Sequence, residues 1–147
     1  MSDKTKVKLE AGALSYMHPS EEILATLIAS VRGHQQAMAG GIAGMVGGGR
    51  AARAATEAQT AGVVLASPMA FVLTRSRVLT FELGNGGKVK RFLGEYLVTS
   101  IDDMQVKRLG LGASVSLTIN GAEVRLESRV NAARSFADTL SKTKSTV

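Results

Sequence analysis

The chain has 147 residues, enough for one domain with a core of its own, and 45% of them are apolar. It contains no cysteine and no tryptophan. That excludes disulfides, thiolate nucleophiles and cysteine-ligated zinc, and leaves a core of Val, Leu, Ile, Ala and Met with a few Phe. The net charge of +6 is dispersed in small groups; it favours anionic partners such as acidic lipid, nucleic acid or acidic protein, and equally suits plain solvated faces.

The first residues, "MSDKTKVKLEAGALSYMHPSEE", contain no apolar signal core, and Ser2 offers no myristoylation site. A cytoplasmic protein is expected, at most peripheral at the inner face of the membrane. The next stretch, "SEEILATLIASVRG", fits two periods. Ile23, Leu24, Leu27, Ile28 and Val31 share a helix face, while Ile23, Ala25, Leu27, Ala29 and Val31 share a strand face.

Residues 33–62 are a Gly/Ala-rich insertion. A phosphate loop does not fit it, because neither G-x-x-x-x-G-K-[ST] nor G-x-G-x-x-G occurs in the chain. A membrane span does not fit either. The uncharged run over residues 33–49 is about 25 Å long as a helix, against roughly 30 Å of hydrocarbon, and it contains seven Gly, two Gln and a His. Shallow or oligomeric insertion at a membrane interface stays open, through Met38, Ile42, Met45 and Val46, and so do two further readings. One is a flexible linker. The other is a closely packed helix in which Gly40, Gly44 and Gly48 form two G-x-x-x-G steps that let another backbone approach. Each glycine inside a helix costs about 0.8–1.0 kcal/mol relative to Ala, so such a helix needs a neighbouring surface to form. "RAARAATEAQTAG" is a better helix former, with Arg53 and Glu57 four apart and Gly62 at a C′ position, and a helix is expected over residues 50–61.

The remainder reads as short strands. "MAFVLT" is apolar almost throughout, which predicts cover on both faces. "RVLTFEL" sets Leu79, Phe81 and Leu83 against Val78, Thr80 and Glu82, and runs into the turn "GNGGK". "KRFLGEYLVTSI" and "MQVKRLG" follow, separated near Asp102 and Asp103. "ASVSLTI" and "AEVRLES" then alternate strictly, placing Ala113, Val115, Leu117, Ile119, Ala122, Val124 and Leu126 inward. Asn120-Gly121 between them accepts positive φ at both positions, as a type I′ hairpin requires. "RVNAARSFADTLSK" brings Ala133, Phe136, Ala137 and Leu140 onto one helix face, expected to lie across an opening of the sheet. The last residues, "TKSTV", are expected to fray.

No catalytic constellation emerges. His18 and His34 are isolated, and the adjacent Asp102 and Asp103 suit a turn rather than an acid/base pair. No catalytic residue, metal ligand, cofactor or small-molecule substrate is therefore expected. Nucleic acid ranks below lipid or protein as a partner, because Phe81 and Phe92 fall on core faces and no helix carries a basic stripe.

Residues 68–140 resemble bacterial pleckstrin-homology-like (PH-like) domains, especially small actinobacterial proteins. "AFVLTRSRVLTFEL" is similar to the family's Thr-x-x-Arg hairpin, with Thr74, Arg75 and Arg77 at those positions. The order of strands after "GKVKRFLGEYL" and the closing "NAARSFADTL" are similar too. The resemblance implies a single mainly β domain, 1–147. Residues 20–32 and 68–140 would form a strongly bent antiparallel sheet or barrel capped by a C-terminal helix, with 33–62 inserted. It implies no catalysis and an oligomer-forming module, so a homo-oligomer is the expected partner, with Gly40, Gly44 and Gly48 at the contact. An anionic membrane surface is the alternative, with Arg75, Arg77, Lys88, Lys90 and Arg91 gathered near one end of the fold.

Overall fold

The computed structural model describes residues 3–31, 63–102 and 104–146. The chain runs α1 (Asp3–Leu14), β1 (Ala25–Val31), β2 (Met69–Leu73), β3 (Arg77–Leu83), β4 (Val89–Leu97), β5 (Gln105–Leu109), β6 (Gly112–Ile119), β7 (Ala122–Arg129) and α2 (Val130–Ser145). Short 3₁₀ turns stand at Asn85–Gly87 and Val98–Ser100. The seven strands form one antiparallel sheet in the order β4-β3-β2-β1-β7-β6-β5. β4 and β5 are its edges, so the sheet is bent but not closed.

β1 carries the bend. Its residues 25–29 pair with β2, and only Ser30 and Val31 pair with β7. One strand thus joins a four-stranded half (β1–β4) to a three-stranded half (β5–β7). Within the ambiguous stretch, Ala25–Val31 resolves as a strand because both flanks offer it a backbone partner.

Between the two halves lies the main core. Leu27 and Ala29 of β1, Met69, Phe71 and Leu73 of β2, and the inward rows of β6 and β7 meet Ala133, Phe136 and Leu140 of α2. Phe71 meets Phe136 edge to face at 6.3 Å. α2 packs on β1, β5, β6 and β7, across the open side of the sheet. It continues past the expected end, through Ser145, because Thr143 is buried and its hydroxyl donates to the Thr139 carbonyl at 2.7 Å. The Asn120-Gly121 turn has φ of 51° and 84°, as a type I′ hairpin demands.

A second core lies on the other face of the four-stranded half. Leu9 and Ala13 of α1 cover Ala70, Val72, Leu79, Phe81 and Leu83. Tyr16 extends that cover, stacked on Phe92 at 4.9 Å and edge to face with Phe81 at 5.5 Å. This explains why all five residues of β2 are buried. It also completes the reading of β3. The row Leu79, Phe81 and Leu83 faces the second core, Val78 faces the main core, and Thr80 is buried with its hydroxyl donating to the Gly94 carbonyl at 3.2 Å.

The expected helix at 50–61 and the residues Gly40, Gly44, Gly48 and His34 lie outside the described residues. The described residues on either side of that segment belong to the fold. Val31 closes β1, and Val63 is buried in the main core while the Val64 N–H donates to the Tyr96 hydroxyl at 3.3 Å.

Candidate functional site: the charged ends of the sheet

The five cations expected to form one cluster divide between the two ends of β3. Arg75 lies in the β2–β3 turn and Arg77 opens β3; Lys88 lies in the β3–β4 turn, and Lys90 and Arg91 stand in the first residues of β4. Seven residues of strand separate the two turns, roughly 20 Å at 3.3 Å per residue. The expectation of a single basic site fails on topology, since two successive turns of an antiparallel meander lie at opposite ends of the strand they share.

At the β2–β3 turn the buried Thr74 closes the chain on itself. Its backbone N–H donates to the Arg77 carbonyl at 2.9 Å, and its hydroxyl donates to the same carbonyl at 3.1 Å. That hydroxyl also accepts the Arg77 N–H at 3.2 Å and the Ser76 N–H at 3.4 Å. The turn therefore aims Arg77 in one direction. Its Nε donates to Glu21 Oε2 at 2.9 Å, and Nη2 donates to Glu21 Oε1 at 2.5 Å and to the Tyr16 carbonyl at 3.0 Å. Nη1 reaches Glu95 of β4. With its side chain only 13% exposed, Arg77 joins the segment after α1 to two strands of the sheet.

The consequence appears in Glu21. Hydrogen bonds from the Arg77 guanidinium, joined by the His18 backbone N–H at 2.8 Å, hold its carboxyl down to about 2, against the opposing effect of burial. Glu21 in turn raises the affinity of Arg77 for its proton. Arg77 is an internal clamp with its donors occupied, not a receptor for an outside anion. Arg75, beside it, is exposed.

At the β3–β4 turn the chain passes through Gly86 and Gly87 with φ of 73° and 81°, a conformation that favours glycine. α1 rests on this turn. A Cβ at Gly87 would stand 2.4 Å from Thr5 Cγ2, and one at Gly12 would stand 2.6 Å from Val89 Cγ2. Lys8 brings its ammonium beside Gly86. Lys90 and Arg91 both reach Glu82, at 3.7 Å and 3.2 Å, while Lys88 forms no ion pair among the described residues. This end remains basic, but two of its three expected cations are partly neutralised.

A cleft of about 260 Å³ opens between α2 and the residue before β5, lined by Met104, Ala137, Asp138, Leu140 and Ser141. Asp138 and Ser141, three apart on one helix, give the cleft its polar lining. No group of three or more metal-ligating side chains occurs among the described residues, and no helix among them is long and apolar enough to cross a membrane. In comparison with known proteins, the sequence matches no family model and no curated protein.

Sequence reading missed two parts of this arrangement. The Arg77–Glu21 clamp joins residues 56 apart and leaves no local pattern. α1 did leave one, since Thr5, Leu9, Gly12 and Ala13 share a face at helical spacing. Two of those four residues are not counted as apolar, so the stripe was too faint to stand out.

Proposed function

We propose that the chain is a non-enzymatic PH-like binding module that assembles with copies of itself through the segment at 33–62. The observation that carries this reading is where the fold meets that segment. The chain before it ends in β1 beside β7 and the chain after it begins at Val63 in the main core, so some thirty small-residue-rich positions connect two points of the described fold. A glycine-rich segment connected in this way has little to bury by itself and gains most by meeting an equal segment of a second copy. A sheet of four strands (β1–β4) joined through β1 to three more (β5–β7), with a terminal helix packed on it, supports the PH-like assignment.

The sheet edges are poorer candidates for the contact. β5 is short and carries Lys107 and Arg108; β4 is irregular, with register shifts opposite Thr80/Phe81 and Glu82/Leu83, and carries Lys90, Arg91 and Glu95. Charges and irregularities of this kind discourage strand addition. Sedimentation velocity at several concentrations tests the proposal. A sedimenting species larger than one chain supports it, and a species of one chain throughout the range contradicts it.

A further inference from the structure

The β5–β6 hairpin ends in the two-residue turn Gly110-Leu111. Gly110 has φ of 57°, and Leu111 is not in the positive-φ region. These are the signs of a type II′ turn, which demands glycine at the first position and accepts ordinary polar residues at the second. Leu111 is nevertheless leucine and is 98% exposed; Leu109, at the other side of the turn, is 47% exposed. Neither the turn geometry nor the core explains an apolar side chain at 111. A single exposed leucine is unremarkable, but two on one convex tip are a concentrated apolar point.

Cations surround that point. Lys107, Leu109 and Arg129 alternate onto the outer face of the three-stranded half, with Arg129 paired to Gly112 at the end of the ladder. Arg108 lies on the edge strand, and its Nε donates to the Gly110 carbonyl at 3.4 Å, which draws its charge to the turn. The nearest carboxylate on these strands is Glu127, two positions back from Arg129 and separated from Lys107 by Ser114. Three cations against one acid leave the tip basic.

We propose that this hairpin tip docks on a bilayer containing anionic lipid, with Leu109 and Leu111 entering the boundary between headgroups and acyl chains and Lys107, Arg108 and Arg129 meeting the lipid phosphates. Apolar residues ringed by cations match the layered chemistry of an acidic membrane surface. The convex shape suits a soft surface, which closes around a projecting side chain without a preformed pocket. The inference stands on the hairpin alone and does not depend on how copies of the chain assemble; an assembly would multiply a weak single contact.

The test uses the full chain and vesicles of phosphatidylcholine, with and without an equal share of phosphatidylglycerol. Cosedimentation is expected with the acidic vesicles and much less with the neutral ones. Leu111→Ser should weaken it about tenfold or more, and joint replacement of Lys107 and Arg108 by Gln should weaken it on the order of twentyfold at low salt and less at high salt. Because the chain has no tryptophan, Leu111→Trp provides a single probe, expected to shift to the blue and to be quenched by brominated lipid. Lys88→Trp, at the β3–β4 turn, should show neither change. Absence of binding, equal binding to both vesicles, binding unaffected by Leu111→Ser, or a response from position 88 and not 111 would each overturn the proposal. So would a change in assembly mass in Leu111→Ser without any vesicle binding, which would make the tip a contact between copies.

Discussion

Arg77 shows how much one side chain can determine about a fold. Its guanidinium satisfies two carboxylates and a backbone carbonyl drawn from two separate segments, the stretch after α1 and β4. Arg77→Gln should leave Glu21 charged and half-buried with no cation beside it, and should cost about 2–4 kcal/mol, read as a lower urea midpoint at unchanged slope. The pH dependence follows from the same contact. The Glu21 carboxyl is held at about 2, below its ordinary value of 4.5, so the folded chain binds this proton less readily than the unfolded chain. Its contribution to stability is complete above about pH 4.5 and is lost as the pH falls toward 2. Glu21→Gln should flatten that acid limb and lower stability at neutral pH; urea titrations of both proteins between pH 2 and 7 would measure the difference. Glu123 is also held below its ordinary value by Arg125 and Ser116, but this pair is exposed on the surface of the three-stranded half and contributes little.

Among the elements, α1 gives the sharpest test because its fit depends on one missing methyl group. Gly→Ala within a helix ordinarily stabilises by up to about 1 kcal/mol. At position 12 the new Cβ would stand 2.6 Å from Val89 Cγ2, and a valine in a strand turns poorly about χ1. Gly12→Ala should therefore destabilise, by about 1–2 kcal/mol. Val89 Cβ would also stand only 2.8 Å away, so relief needs the whole side chain removed: in a Val89→Gly background the same change should become neutral or stabilising, a sign reversal that thermal unfolding of the four proteins in the cycle would reveal. The elements also differ in how legible they were. β6 and β7 were readable residue by residue, because one face meets the core and the other meets water, and Asn120-Gly121 fixes the register between them. β2 was readable as doubly covered, but its outer cover was not identifiable: α1 touches the sheet through Thr5, Leu9, Gly12 and Ala13, a stripe whose chemistry is steric rather than hydrophobic. The basic residues at 75–77 and 88–91 are near in sequence but not in space, because a meander strand separates the two turns.

For the whole molecule, the architecture divides labour between two sheet halves joined by β1. One half is held between two cores and clamped by Arg77. The other presents the β5–β6 tip and supports α2. The segment at 33–62 is attached where the halves meet, and the proposed function places self-association there. The most direct measurement is the mass of the full chain in solution by light scattering, beside a variant with Gly40, Gly44 and Gly48 all replaced by Gln. The account predicts a multiple of 15.4 kDa for the native sequence and a shift toward 15.4 kDa in the variant. A native chain of 15.4 kDa at every concentration, or an assembly indifferent to the three substitutions, would contradict it.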